Sequence, residues 1–231
     1  MSITMYDLAG AEEGRRFSPF CWRARMALAH KGLSFETIPW RFTDQDKLPA
    51  GSQGRVPVIV DDGRVVCDSW DIAEYLDARY PDAPALFDSP AAKGQARFIR
   101  YWAERVLQPI MAQIVTYDIF RHVDEKDKAY FRESREERFG KKLEEFGSNL
   151  DADLKALKTA LGPFRQTVKE QPYLCGEQPA FADYIVFGAF QWARSISDKR
   201  LVPDDDPVHG WLQRMVGLFD GLGNQTLAYP L

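Results

Sequence analysis

The stretch Arg16-Phe17-Ser18-Pro19-Phe20-Cys21-Trp22-Arg23 limits what the first third of this chain can become. It follows an apolar run, Ile3-Thr4-Met5-Tyr6-Asp7-Leu8, and a polar loop over Gly10 to Arg16. It leads into a segment with apolar residues at Phe20, Trp22, Met26, Ala27 and Leu28 that stops at Lys31-Gly32. A hydroxyl residue before proline is a helix start. The side-chain oxygen caps a free backbone N–H, and proline's fixed φ suits the first helical position. Ser18 then stands at the positive end of a helix, where unpaired N–H groups favour an anion. Taken alone, the same pattern is also that of a plain helix cap. The run before it reads as a strand, and Phe35 to Trp40 as a second. Two parallel strands need a crossover helix between them, and Pro19 to Lys31 supplies one.

Val56 to Val60 reads as a third strand, and Asp61-Asp62-Gly63 as a hairpin turn into Val65-Val66-Cys67. Asp68-Ser69 opens a helix that runs through Tyr80 and ends at Pro81. The order is β-α-β-β-β-α. Composition changes over Pro81 to Pro90, a Pro- and Ala-rich boundary. Beyond it the pattern is helical: Ala91 to about His122, Lys126 to about Leu161 with a break near Gly147, Pro163 to Lys169, Phe181 to Ser197 and Pro207 to Leu218. Phe181 to Ser197 is apolar on most faces, as a buried helix should be. The mixed charges of Lys126 to Glu145 predict a solvated face. The fold class expected is α/β plus all-α, with a first domain over 1–82, a linker over 83–91 and a helical-bundle domain over 92–231.

A net charge of −4 with scattered Lys and Arg argues against nucleic acid or an anionic membrane as partner. No apolar stretch approaches the roughly 20 residues a membrane span needs. No basic segment precedes an apolar one at the N-terminus, so secretion is not expected. Cys21, Cys67 and Cys175 are odd in number and far apart, which fits a reducing, cytoplasmic setting. Neither these nor His30, His122 and His209 have metal-ligand spacing, and no metal site is expected.

Ser18-Pro19-Phe20-Cys21, Arg55-Val56-Pro57-Val58-Ile59, Asp68-Ser69 and an all-helical second half together resemble the cytosolic glutathione transferases. Within that superfamily, five pieces are similar to the bacterial glutathione-dependent β-etherases and the fungal etherase-like (FuA) class. They are Arg55 to Gly63, Asp68 to Leu76, Tyr80-Pro81-Asp82, Phe181-Ala182-Asp183-Tyr184 and Leu218 to Leu222. The resemblance implies a thioredoxin-like domain for glutathione as co-substrate, and a helical domain completing an apolar site for a hydrophobic aromatic electrophile. It also implies a homodimer, in keeping with the commonness of closed two-fold pairs.

By the same resemblance Pro57 is cis and Val56 offers its backbone to the cysteinyl part of glutathione, next to Arg55. Asp68 and Ser69 receive the γ-glutamyl end. Trp40, Arg41 and Gln45 lie in the loop expected to hold the glycyl carboxylate, and Arg41 is the best fork for it. Ser18 is the expected catalytic group. A free thiol has a pKa of about 8.5, and lowering it by two units takes about 2.7 kcal/mol. One charge-assisted hydrogen bond supplies about 1.5–3 kcal/mol. Ser18 thus stabilises a thiolate and need never lose its own proton. Tyr6 and Cys21 are rivals for this role, although Cys21 occupies the position of a buried resolving thiol. Arg23 reads as a surface ion-pair residue. For the electrophile the candidates are Phe17 and Phe20 with Trp102, Ile114, Tyr117 and Phe120, the helical stripe Leu107-Ile110-Ile114 lying alongside. Ala180 departs from the family's Ser, Thr or Asn cap, at a cost of about 0.5–2 kcal/mol. A protein of this fold that binds ligands without catalysis is the alternative.

Overall fold

The computed structural model describes residues 3–231, so residues 1 and 2 of the expected first domain lie outside it. Strand β1 (Ile3–Leu8) is joined by helix α1 (Pro19–His30) to β2 (Phe35–Trp40). The two strands pair in parallel from Ile3 opposite Phe35 to Leu8 opposite Trp40. β3 (Val58–Asp61) runs antiparallel to β1, with Met5 opposite Ile59, and turns through Asp62-Gly63 into β4 (Arg64–Cys67). Sheet order is β2-β1-β3-β4. Asp62 and Gly63 both hold positive φ, as a tight hairpin requires. Helix α2 (Ser69–Arg79) follows. The expected β-α-β-β-β-α unit is present. β3 starts two residues later than expected, and the Val56-Pro57 peptide before it is cis, as the resemblance implied.

The rest is helical. α3 (Pro90–Trp102) continues through a π-helical turn (Ala103–Leu107) into α4 (Gln108–His122). Pro109 has no N–H to donate and its ring crowds the carbonyl four residues back, which accounts for the loosened turn just before it. α5 (Lys128–Phe139) ends at Gly140 in the left-handed region, with φ of +66°. That stop was not expected; the chain turns again at Gly147, φ +78°, before α6 (Leu150–Ala160) and α7 (Gly162–Glu170). α8 (Phe181–Ile196) is buried along nearly its whole length, and α9 (Pro207–Gly221) kinks at Leu218 to Asp220.

α8 and α1 join the two halves. A Cβ added to Gly188 of α8 would stand 2.3 Å from the Pro19 carbonyl oxygen, so only glycine admits this approach. Trp22 meets Phe187 edge-on at 6.1 Å. The first turn of α1 is thereby fixed against the centre of the helical half. Ala180 caps α8 without a side-chain acceptor. The buried Asp183 carboxylate instead turns back to the Ala180 N–H at 3.3 Å and also accepts from Leu174 N–H at 2.8 Å and the Trp211 indole at 3.0 Å. Burial pushes this carboxyl above its ordinary value, against those three donors. Among the described residues no helix is long and apolar enough to cross a membrane, and no three His, Cys, Asp or Glu side chains gather as a metal site.

Candidate active site

A cleft of about 540 Å³ separates the first turn of α1 from α4 and α5. Phe17, Ser18, Phe20 and Trp40 line its near side, with Phe42 and Gln45 from the loop after β2 and Gly54-Arg55-Val56 before β3. The far side carries Glu104 of the π turn, then Gln108, Ala112, Thr116 and Ile119 of α4. Tyr130, Phe131, Arg135 and Arg138 of α5 and Trp192 of α8 complete it.

Ser18 is the N-cap of α1, with extended φ and ψ of −74° and 122°. Its Oγ accepts the Cys21 N–H at 3.1 Å. Its own O–H makes no hydrogen bond of ordinary length and angle to an acceptor among the described residues, although it bears on the buried Cys21 thiol; the residue is 4% exposed and borders the cleft. Pro19 has no N–H, and the Phe20 N–H of the same turn is left without a partner by the helix geometry. An anion at this corner meets one uncommitted hydroxyl and a helix N-terminus.

Val56 borders the cleft, and its N–H and C=O make no hydrogen bond among the described residues. Val58 pairs with Cys67, so Pro57 before β3 and Asp68 after β4 leave the sheet at the same end. Asp68 caps α2 through its carboxylate on the Trp70 N–H at 2.8 Å. Its φ of +69° is a conformation that costs a non-glycine residue about 1–3 kcal/mol. Ser69, 2% exposed, is the first residue of α2.

The loop after β2 is held from the helical half. Asp127 accepts the Phe42 and Thr43 N–H groups, both at 3.1 Å, and the Thr43 hydroxyl at 2.6 Å. Asp44 pairs with Lys126 and, at 3.1 Å, with Lys47. These ties bring Phe42 and Gln45 to the cleft. They also remove Arg41 from it: its guanidinium donates to the Gly10 and Ala11 carbonyls at 3.2 Å and pairs with Asp124 at 3.3 Å. Trp40 borders the cleft, but its indole N–H is committed to the Asp44 carbonyl at 2.7 Å.

Of the expected electrophile contacts, Phe17 and Phe20 line the cleft and four others do not. Ile114 is wholly buried in the core, and Trp102 packs toward Phe164 at 6.4 Å. Tyr117 stacks on Phe120 at 6.5 Å, and Phe120 leans on Phe131 and Arg132 without itself lining the cleft. The reason is helical phase. The cleft face of α4 is Gln108, Ala112, Thr116 and Ile119, and Ile114 is turned away from these by about 120–160° at about 100° per residue. The apolar stripe faces the core, and the site takes the smaller and more polar one.

Neither of the rivals to Ser18 borders the cleft. Tyr6 lies within β1 between Ile38 and Val58 and does not border the cleft. Cys21 is fully buried, and burial together with the Asp7 carboxylate pushes its thiol well above the ordinary value. Arg23 is not a surface residue. Its side chain is 1% exposed and pairs with Glu104 across the two halves.

α5 was the element least visible in advance. Phe131, Arg135, Arg138 and Phe139 recur at i, i+4, i+7 and i+8, a helical face hidden within a charge-dense segment. Burial holds the Arg135 guanidinium below its usual value. Gln108 adds a buried amide nitrogen with no acceptor among the described residues.

The family model for the glutathione S-transferase N-terminal domain matches residues 14–84, and that for the glutathione S-transferase C-terminal domain matches residues 94–216. Glutathione S-transferase U22 of Arabidopsis thaliana is 29% identical over 76% of this chain and 69% of its own length. Glutathione S-transferase omega-1 of Mus musculus is 27% identical over 87% of this chain and 73% of its own. Among solved structures, glutathione transferase GSTFuA3 from Phanerochaete chrysosporium superposes with a TM-score of 0.75 at 27% identity, covering 96% of this chain and 92% of that one. CsGST63524 of Ceriporiopsis subvermispora, solved in complex with glutathione, has the same fold, with a TM-score of 0.77 at 22% identity over 95% and 97% of the two chains.

Proposed function

The chain belongs to the glutathione S-transferase family, and on that footing we propose that it joins glutathione to a hydrophobic aromatic electrophile, with Ser18 as the group that stabilises the thiolate. The observation that carries this is the state of the Ser18 hydroxyl. It uses a lone pair to cap α1 and keeps its O–H free at the edge of the cleft. Glutathione supplies the sulfur nucleophile. The thiol proton leaves to solvent, the carbon–sulfur bond forms, and the leaving group departs with the electron pair of the bond it loses. Chloride from a chloroarene and aryloxide from a β-aryl ether are both leaving groups of this kind.

The other residues hold the tripeptide. Val56 pairs its free N–H and C=O with the cysteinyl backbone, an edge-strand interaction. Asp68 takes the γ-glutamyl ammonium, and Ser69 with the α2 N-terminus takes the carboxylate. Arg55 and Gln45 take over the glycyl carboxylate from Arg41, whose donors are engaged. In this reading residues 1–82 form the glutathione domain, and 92–231 complete the site. A closed homodimer would cover Phe98, Tyr101 and Val106 of α3 and the π turn, which are 71%, 54% and 40% exposed.

Retention on glutathione resin followed by turnover of a chlorodinitrobenzene and of a β-aryl ether tests the proposal. Retention with turnover of the chloroarene alone supports a conjugating enzyme. Retention with no turnover of either would leave a ligand-binding protein of the same fold.

A further inference from the structure

Helix α5 treats its arginines in two ways. Arg132 is matched by carboxylates, Glu136 at 2.9 Å and Glu144 at 2.7 Å. Arg135 and Arg138, on the cleft face, form no ion pair among the described residues. Arg135 stands near the faces of Phe131 at 4.6 Å and Phe42 at 5.3 Å, and its one hydrogen bond is to the neutral Ser134 hydroxyl at 2.9 Å. Arg138 rests on Phe139 at 5.3 Å. The nearby acids Glu133 and Glu137 are exposed and do not border the cleft.

The charge around the cleft is therefore lopsided. The one carboxylate lining it among the described residues, Glu104, is already matched by Arg23 at 2.7 Å and Arg100 at 3.2 Å. Arg55, Arg135 and Arg138 are left without a counter-ion among the described residues. Low-dielectric walls around like charges concentrate their field on whatever enters. A guanidinium fork matches a carboxylate through two parallel hydrogen bonds. Phe42, Tyr130 and Phe131 beside it supply apolar surface for a ring.

We propose that the second substrate is an aromatic compound carrying an anionic oxygen group, a carboxylate before others, held by Arg135 and Arg138. This rests on reading the cleft as a transferase site. There the two carboxylates of glutathione are accounted for at Ser69 and at Arg55 with Gln45, which leaves the α5 pair for the electrophile. The two arginines select the substrate and orient its ring; they take no part in the bond exchange.

The test is equilibrium binding of naphthoate and of its neutral isostere naphthamide to the full chain, with and without glutathione. The wild-type protein is expected to bind naphthoate about tenfold more tightly, or better, with a preference that shrinks as salt is added. In the Arg135→Gln, Arg138→Gln double variant the two ligands should bind within about twofold of each other, naphthamide as before, glutathione as before. Equal binding of the two ligands by the wild type, or no binding of naphthoate, overturns the proposal without use of any variant. So does a double variant that keeps the preference or loses glutathione affinity instead, since the arginines would then belong to the tripeptide. A protein that prefers naphthoate yet fails to bind glutathione keeps the anion site and overturns the transferase reading alone.

Discussion

The Arg23 guanidinium donates to the Glu104 carboxylate at 2.7 Å, joining α1 to the π turn between α3 and α4 beside the cleft. Arg23 is 1% exposed and Glu104 21% exposed. The guanidinium lies over the Phe20 ring at 4.6 Å, and its Nε and Nη2 have no partner among the described residues. Burial holds its pKa below the usual value. Such a cation depends on its one carboxylate, whereas Glu104 retains Arg100 as a second partner.

The two halves of this pair are accordingly unequal. Glu104→Gln strands a buried charge and is expected to cost about 3–5 kcal/mol. Arg23→Met removes the charge and fills much of the space, so it should cost less. Urea unfolding of both variants measures the order. The reverse order would count against a cation buried at the junction.

Gly188 sets how closely α8 meets the first turn of α1. Alanine there would put its Cβ 2.3 Å from the Pro19 carbonyl oxygen and 3.2 Å from the Pro19 carbonyl carbon, both backbone atoms. Gly188→Ala is expected to cost about 1–3 kcal/mol and to lower turnover by displacing Ser18. Wild-type stability and turnover in this variant would mean that the approach is looser than described.

Asp44 gives a pH signature. Burial pushes its carboxyl up, but the hydrogen bonds from Lys126 and Lys47 outweigh that and hold it below the ordinary value. A depressed folded pKa stabilises the protein above the unfolded carboxyl value, about 3.9, and the gain is lost as pH falls through the folded value. Wild type should therefore exceed Asp44→Asn in stability near neutral pH, and the gap should close in acid. A gap that stays constant across the acid range sinks this reading.

At the α8 N-terminus one half of a capping box is in place. Asp183 reaches back to the Ala180 N–H, while Ala180 has no side-chain acceptor to return and meets the Asp183 N–H only with its backbone carbonyl, at 2.9 Å. Ala180→Ser is expected to raise stability by about 0.5–2 kcal/mol. Thermal or urea unfolding of the variant checks it, and an unchanged midpoint would show that the cap is not missed.

What was legible in the sequence was local. Ser18-Pro19 marked a helix start, and Asp61-Asp62-Gly63 marked a hairpin, because a cap and a turn act within four residues. Phe17 and Phe20 flank the helix start, and Arg55 and Val56 followed from the resemblance carried by the residues around Pro57. The far wall depended on tertiary packing. Ile114 and Trp102 are apolar enough for a ligand pocket and for the core alike, and the core took them. Arg41 had the right chemistry, but its engagement by Asp124 spans residues that no short-range pattern connects. α5 carried a readable stripe whose charged neighbours drew attention to solvent.

The claim beneath all of this is that the Ser18 O–H donates to the sulfur of bound glutathione. Titration of the thiolate absorbance of glutathione on the protein reads it directly. Bound thiol in the wild type should ionise about two units below the free value of about 8.5. In Ser18→Ala most of that shift should vanish, with turnover falling about tenfold or more while glutathione affinity changes by less than about threefold. A wild-type thiol that ionises at the free value, or an alanine variant with the full shift, would show that Ser18 caps a helix and does nothing more.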